Sequence, residues 1–316
     1  MKRLLPFLIF AAGRVFFAPA AGHAQQNFDN VVEHLLPVQG SVYMMVGAGG
    51  NITVQVGKDG VLLVDTQYAP LAPKIMAAIR TLSPMPIRYI VDTHFHGDHT
   101  GGNGALAKLG GAGAMPRIIA NDHVLNRMTA PPAAGQTAVP EADWPNDEYF
   151  TASKDFFFNN EAVVVYHMPA AHTDGDSIVF FRRSDVISTG DIFTPETYPG
   201  IDLARGGSIQ GEIAALNRIL ELTVPAKYQE GGTYVIPGHG RLCEEADVVE
   251  YRDMVTIVRD RIQDLIGKGR NLEQVRAARP TLDYDTQYGA IPAGATSGSP
   301  AADRFVDAVY KSLGGK

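Results

Sequence analysis

The chain contains only one cysteine and one tryptophan among its 316 residues. A single cysteine, Cys243, cannot form an internal disulfide, and we expect a lone thiol of this kind to be buried. Cys243 also lies outside every cluster of ligand-type residues in the sequence. We therefore expect no role for it as a ligand or nucleophile.

Basic charge is scarce as well, because 27 Lys and Arg residues stand against 34 Asp and Glu residues, giving a net charge of -7. An acidic protein is a poor candidate for binding the phosphate backbone of a nucleic acid. The hydrophobic fraction of 45% is ample for a sizeable core, so the composition indicates a globular protein.

Long hydrophobic runs are missing except at the N-terminus. Residues 1–24 begin with Met-Lys-Arg, continue with an apolar stretch that Arg14 interrupts, and end on small residues at Ala24. This pattern is typical of a secretory signal peptide, and the stretch is too short to cross a bilayer. We predict cleavage near Ala24, a periplasmic or secreted protein, and no stable membrane insertion.

The most informative segment that is present is Thr93–His99, which holds three histidines and one aspartate. It directly follows the strand-like run Ile87–Val91. Side chains alternate along a strand, so His94 and His96 point the same way and can share one ion. The chain can then turn at a glycine and aim the next aspartate and histidine at a second ion. Imidazole with carboxylate is the ligand mixture expected for zinc or its chemical neighbours.

Three more ligand-type residues stand at the ends of strands in the second half of the chain. Each follows an apolar strand, with small residues beside it: they are His172, Asp191 and His239. Side chains at such strand-to-loop junctions can converge on one site. For Asp191 a turn or a helix cap is an alternative role.

Strand-like and helix-like segments alternate in groups, which favours two packed sheets with helices outside. A hairpin turn is predicted at Asp59-Gly60, an amphipathic helix over Ala246–Ile266, and a surface loop over Thr129–Pro145. Because the candidate ligands are spread over both halves, we predict one domain over residues 25–270. Residues 271–316 are predicted to be short helices packed on that domain.

The ordered motifs, together with Asp65 at the end of a strand, resemble the metallo-β-lactamase superfamily from about Val31 to Ile266. The resemblance implies an α/β fold, a four-layer αβ/βα sandwich of two mixed β-sheets with helices on the outside. It also implies two zinc ions (Zn2+) per chain. The ligand positions that it implies are His94, His96 and His172 for one ion, Asp98, His99 and His239 for the other, and Asp191 bridging both. Asp65 would support the ligand loop from behind.

The predicted function is hydrolysis of a small-molecule substrate. A hydroxide shared by two zinc ions would attack an ester, lactone, thioester or β-lactam amide, with Asp98 as the catalytic residue that orients it or moves its proton. Secreted zinc β-lactamases often have cysteine where Asp191 stands, whereas glyoxalase II and lactonases have aspartate. The aspartate therefore counts against β-lactam hydrolysis as the main activity, and this reaction stays open as a main or a side activity.

The segment Ile192–Ile209 is predicted to line the substrate, with Tyr198 and Arg205 as candidate contacts. Either residue could instead have a packing or surface role. Two other functions remain open: an oxidoreductase that resembles persulfide dioxygenases and uses one iron, and a binding protein on the same scaffold. The physiological substrate and the oligomeric state do not follow from the sequence.

Overall fold

The structure is a computed structural model that describes residues 27–111, 113–133, 135–228, 231–289 and 301–315. The predicted signal peptide lies outside these residues. So does the Gly/Ser/Pro-rich connection predicted between the C-terminal helices.

The first sheet has seven strands within the described residues, and their spatial order follows their order in the chain. The strands are β1 (His34–Gln39), β2 (Val42–Val46), β3 (Ile52–Gly57), β4 (Gly60–Val64), β5 (Ile87–Val91), β6 (Arg117–Asn121) and β7 (Asp147–Tyr149). Neighbours from β1 to β4 are antiparallel, and those from β4 to β7 are parallel. The parallel part brings the carboxyl ends of β4 and β5 to one edge, so Asp65 and Thr93–His99 start from the same place.

The second sheet has six described strands in the order β13-β12-β11-β10-β9-β8. The strands are β8 (Ser153–Phe158), β9 (Glu161–Met168), β10 (Asp176–Phe181), β11 (Val186–Ser188), β12 (Tyr234–Ile236) and β13 (Cys243–Glu244). Among the described strands of this sheet, only β11 and β12 pair in parallel, and the other neighbours are antiparallel. The carboxyl ends of β11 and β12 therefore lie side by side, and Asp191 and His239 follow those ends.

Helices cover the outer faces of both sheets. They are α1 (Ala72–Leu82), α2 (Gly97–Thr100), α3 (Asn103–Gly110), α4 (Asp122–Met128), α5 (Ile209–Leu222), α6 (Glu245–Gly267), α7 (Leu272–Ala277), α8 (Asp285–Tyr288) and α9 (Ala301–Ser312). The longest of them, α6, agrees with the predicted span Ala246–Ile266 to within about one residue at each end.

Three layers of buried apolar side chains hold the sandwich together. Between the sheets, Leu62 and Val91 of the first meet Val179 and Ile236 of the second. A second layer joins the first sheet to α1 and α3, and a third joins the other sheet to α5, α6 and the C-terminal helices. The predicted four-layer αβ/βα sandwich is thus confirmed.

The last helices contribute to the third layer rather than standing apart. Phe305 and Val309 of α9 are buried in the same cluster as Val255 of α6 and Val275 of α7. None of the helices in the described part of the chain has the length and apolar character needed to span a membrane.

Candidate metal centre

All seven residues predicted as metal ligands come together at the edge where the two sheets meet. Their ligand-type atoms form two groups, and within each group every atom lies within 4.8 Å of the others. The first group is His94, His96, His172 and Asp191, and the second is Asp98, His99 and His239.

The first group is built on three imidazole nitrogens that face one another. Nδ1 of His96 lies 3.1 Å from Nε2 of His94 and 3.0 Å from Nε2 of His172. The opposite nitrogen of each ring contacts a different part of the protein. Nδ1 of His94 lies 3.0 Å from Oγ1 of Thr93, Nδ1 of His172 contacts the carbonyl oxygen of Gly200, and Nε2 of His96 lies 3.5 Å from Asp202.

These outer contacts fix which nitrogens carry protons. Thr93 donates its hydroxyl proton to Asp65 over 2.8 Å, so it can only accept from Nδ1 of His94. The carbonyl of Gly200 is an acceptor, and so is the ionised carboxylate of Asp202. Each ring therefore donates outward, and three lone pairs meet in the centre. Since lone pairs at about 3 Å repel one another, a cation is the natural occupant.

The second group combines two imidazoles with a carboxylate. Nδ1 of His99 donates to Asp65 at 2.8 Å, so Nε2 is the nitrogen that faces Nε2 of His239, at 3.3 Å. Oδ2 of Asp98 lies 3.3 Å from Nε2 of His239 and 3.7 Å from Nε2 of His99. Asp65 supports this group from behind, in agreement with the position predicted for it.

Asp191 lies between the two groups and turns one oxygen toward each. Oδ2 is 3.9 Å from Nε2 of His94 and 3.8 Å from Nε2 of His172. Oδ1 is 3.2 Å from Nε2 of His99 and 3.4 Å from Nε2 of His239. Oδ1 is buried and has no partner with hydrogen-bond geometry among the described residues. A buried carboxylate oxygen without a donor is costly unless a cation sits beside it.

The electrostatics of the centre favour positive charge. Burial lowers the pKa of His94 well below its usual value, so this ring stays neutral. Burial acts in the same direction on His99, but Asp191, Asp98 and Asp65 outweigh it and raise the pKa of His99 well above normal. The carboxylates that attract a proton to His99 would attract a divalent cation in the same way. The seven residues thus fit the metal ions that a site of this chemistry needs.

Glycines let the backbone approach this centre closely. A Cβ on Gly50 would lie 2.3 Å from the ring of His99, and one on Gly238 would lie 2.1 Å from Oδ1 of Asp191. Asn51 holds the loop of His239, because its side-chain amide donates to the carbonyls of Pro237 and Gly240, each over 3.0 Å. Side chains at either glycine would displace a ligand-type group.

Comparison with known proteins agrees with this geometry. The sequence profile described as the metallo-beta-lactamase superfamily matches residues 45–239, which include all seven residues of the centre. The chain belongs to this superfamily. A search of curated proteins found no match to the sequence.

Several solved structures resemble the fold of this chain at low sequence identity. The stereoselective inverting sec-alkylsulfatase Pisa1 from Pseudomonas sp. has a TM-score of 0.59 and 17% identity over 89% of this chain and 49% of its own. A double mutant of the sec-alkyl sulfatase PisA1 has a TM-score of 0.64 and 19% identity over 88% of this chain and 50% of its own. The chain thus spans about half the length of these sulfatases.

A smaller relative matches over nearly its whole length. The metallo-beta-lactamase from Pontibacter korlensis has a TM-score of 0.56 and 15% identity over 71% of this chain and 99% of its own. At such identities the likeness establishes the superfamily fold alone.

A cleft of about 480 Å³ opens beside His96 in this member of the superfamily. Arg205, one of the two predicted substrate contacts, lies on its wall with a side chain that is 41% exposed. The nearest carboxylate oxygen to its guanidinium belongs to Asp202 at 3.9 Å, and no hydrogen bond from this guanidinium to a described residue is present. Arg205 is therefore placed where it can meet a bound molecule.

Tyr198, the other predicted substrate contact, lies elsewhere. Its ring is 6% exposed and stacks on Phe305 of α9 with ring centroids 5.1 Å apart. Its hydroxyl donates to the carbonyl of Thr281 and lies 3.0 Å from Asp285. Of the two roles that the sequence leaves open for Tyr198, the structure favours packing, because this side chain joins the segment after Asp191 to the C-terminal helices.

Sequence reasoning missed the residues that hold the rings from outside. Asp202 and the carbonyl of Gly200 lie in the irregular segment between β11 and α5, and neither directly follows a strand. Thr93, which begins the motif, was not assigned a role although its hydroxyl contacts both His94 and Asp65. The only available signal was the position of Thr93 directly before the first histidine of the motif.

Proposed function

We propose that the chain is an exported dinuclear zinc hydrolase that cleaves a small ester, lactone, thioester or β-lactam amide. His94, His96 and His172 would hold one zinc ion, Asp98, His99 and His239 the other, and Asp191 would bridge them. The observation that carries this proposal is the set of inward-facing nitrogens of His94, His96 and His172, together with Oδ1 of Asp191, which has no hydrogen-bond donor among the described residues. Such an arrangement suits zinc, which binds imidazole and carboxylate.

The side chains around the centre have distinct tasks in this proposal. Two bound divalent ions would supply a water with a lowered pKa and would polarise the bond to be broken. Asp98, whose side chain is 28% exposed, is the carboxylate best placed to accept a proton from a reacting water. Asp65 and Asp202 keep His99 and His96 in orientation, as outer carboxylates commonly do for metal-bound histidines.

Arg205 is proposed as the contact for a negatively charged group on the substrate. Its guanidinium offers several N–H donors in a planar fork that matches a carboxylate or a sulfate. The exposed position in the wall of the cleft leaves those donors accessible from the side of His96. Tyr198 has no part in this proposal because its ring is buried.

The names of the structural relatives widen the set of bonds worth testing. One relative is named a metallo-beta-lactamase and two are named sec-alkylsulfatases, so lactams and sulfate esters both belong in a substrate panel. The panel we would use contains nitrocefin, a homoserine lactone, S-lactoylglutathione and a secondary alkyl sulfate.

The panel would be run on zinc-loaded protein, on His96→Ala and on His34→Ala as a matched control. His34 is an exposed histidine at the edge strand β1, outside both ligand groups. We expect the wild type and the control to hydrolyse at least one substrate and His96→Ala to lose that activity. Equal rates in His96→Ala, or no hydrolysis of any substrate by the wild type, would contradict the proposal.

Export can be tested separately. Protein recovered from the periplasm or the medium of the producing cells should begin near Gln25, as measured by N-terminal sequencing. Retention of Met1 in a cytoplasmic fraction would rule out this part of the proposal.

A further inference from the structure

The cleft beside His96 has an apolar floor built by three separate parts of the chain. Phe95, Met128 and Val139 pack with Ala120 and Val124 in a small cluster that is distinct from the three main layers. Phe95, Met128 and Val139 also line the cleft. Within this floor Met128 is buried, whereas Phe95 and Val139 are partly exposed and can contact a bound molecule.

The floor is directly connected to the metal centre. The ring of Phe95 lies against the ring of His96, with centroids 4.5 Å apart, and both rings line the cleft. A molecule resting on the floor would therefore have one end beside the first ligand group. The volume of about 480 Å³ is in the range of sites for small ligands, which is about 300–1,000 Å³.

Several polar side chains in the cleft already have partners in the protein. Arg127 donates to both carboxylate oxygens of Asp174, and the hydroxyl of Thr100 donates to the carbonyl of His96 over 3.2 Å. Oδ1 of Asp143 accepts from the backbone N–H of Gly104 over 2.8 Å. These contacts use part of the hydrogen-bonding capacity of each group, and the other residues that line the cleft include Ala130, Pro131, Pro132 and Val139. The part of the cleft that they surround therefore offers mainly apolar contact.

We propose that this cleft binds an alkyl or aryl group of the substrate, with the bond to be broken directed toward His96. The inference rests on the proposed function and narrows its substrate class to molecules that carry such an apolar group. Polar substrates that lack one would leave the partly exposed side chains of Phe95 and Val139 in contact with water. They would bind less tightly for that reason.

The single tryptophan of the chain provides a direct signal of occupancy. Trp144 packs in the same cluster as Phe95 and Val139, and its indole Nε1 donates to the carbonyl of Val139 over 3.2 Å. Since no other tryptophan is present, a change in intrinsic tryptophan fluorescence on ligand addition reports on the environment of this cluster. The signal does not depend on hydrolysis.

The binding experiment would titrate zinc-loaded protein with 1-butanol, 1-hexanol and 1-octanol while tryptophan fluorescence is measured. These probes are uncharged and cannot be hydrolysed. We expect the dissociation constant to fall about three- to fourfold for each added methylene, as full burial of a methylene implies. Dissociation constants that do not change along the series would overturn the proposal.

Variants then test whether the floor is the binding surface. In Val139→Asp the dissociation constant of the alcohols should fall less than about twofold for each added methylene, because the variant places a charge on the apolar floor. The matched control is Val32→Asp, at a residue that is 61% exposed and does not line the cleft. Val139→Ser covers the case in which the aspartate variant misfolds and should give an intermediate value. Full chain-length dependence in a folded Val139→Asp protein would contradict the proposal.

Esters separate this inference from the proposed function. The methyl esters of acetic, butanoic and hexanoic acid, which carry no aryl group, should show a KM that falls with chain length, while kcat, measured by titration of the released acid, stays within about threefold. Hydrolysis at equal KM for all three would overturn the cleft inference and leave the hydrolase intact. Chain-length-dependent binding of the alcohols without hydrolysis of any substrate would support the cleft and contradict the hydrolase.

Discussion

The two ligand groups of the metal centre are built from similar residues but are held very differently. In the first group each imidazole has an outer partner, and the side chains of His94 and His172 are 1% and 8% exposed. In the second group His99 is buried against Asp65, whereas the side chains of His239 and Asp98 are 40% and 28% exposed. Among the described residues no hydrogen bond to Nδ1 of His239 is present.

This difference indicates that the two halves have different rigidity. A ligand ring with an outer partner keeps its orientation when the metal leaves, whereas an exposed ring without one can rotate. The three-histidine half is thus the preorganised part of the centre, and the half with His239 is the adaptable one. Asp191 belongs to both halves. Substitutions in one half at a time therefore test whether the two halves differ in rigidity.

The largest effect is expected for Asp191→Ala, which removes an oxygen from both halves. We expect kcat/KM to fall by more than about 100-fold, beyond the 10- to 100-fold that loss of an outer partner typically costs, together with weaker zinc binding at both positions. Steady-state kinetics and zinc content per chain would check this. Asp260→Asn, on the exposed face of α6, serves as the control, and loss of only one zinc would contradict a bridging role.

The second-largest effect that we expect is a difference in zinc affinity between the two halves of the centre. Titration with a competing chelator should remove zinc in two steps separated by about 10- to 100-fold in affinity, because only one half is fully held by outer partners. The variant His239→Ala should abolish the weaker step and leave the tighter one. If His172→Ala removes the weaker step instead, the assignment of the rigid half is wrong.

Replacing the outer carboxylates should produce smaller, unequal losses. Asp65→Asn affects a 2.8 Å contact to a fully buried ring, and we expect about a 10- to 100-fold loss in zinc affinity of the second half. Asp202→Asn affects a 3.5 Å contact to a half-buried ring, so its effect should be at the lower end of that range, about tenfold or less. The same chelator competition measures both losses. A larger loss of zinc affinity in Asp202→Asn than in Asp65→Asn would show that burial of the contacted ring does not determine the size of the loss.

The smallest effect on activity is expected at Tyr198. Tyr198→Phe removes a hydroxyl that donates to the carbonyl of Thr281. The free energy of unfolding should therefore be about 1 kcal/mol lower than in the wild type. Denaturant unfolding measures that change, and kcat/KM should stay within about twofold. A large rise in KM with unchanged stability would restore Tyr198 as a substrate contact.

Strand ends explain why the sequence reveals so much of the centre. The same pattern recurs at each of these strand ends: an apolar run such as Ile87–Val91 is followed by ligand-type residues. The parallel pairs β4–β5 and β11–β12 bring the ends of their strands to one edge. The strands β1, β2, β7, β8 and β13 do not follow from the sequence pattern. Part of β1 and β8 is exposed, and their apolar residues follow no clean alternation.

The outer partners could not be predicted from local pattern. Asp202 contacts His96 across an irregular loop, and the carbonyl of Gly200 contacts His172 through a backbone atom that any residue would provide. The sequence could not decide between packing and substrate contact for Tyr198 for a related reason. Its neighbours on α9 are distant in sequence, and only the packing of the C-terminal helices determines that its ring is buried.

The central claim is that two metal ions occupy the two ligand groups. The most direct measurement is anomalous X-ray diffraction at the zinc absorption edge from crystals of the purified protein. We predict two peaks per chain, one enclosed by His94, His96 and His172 and the other by Asp98, His99 and His239, with Asp191 between them. A single peak, or a signal at the iron edge in place of zinc, would contradict the proposal.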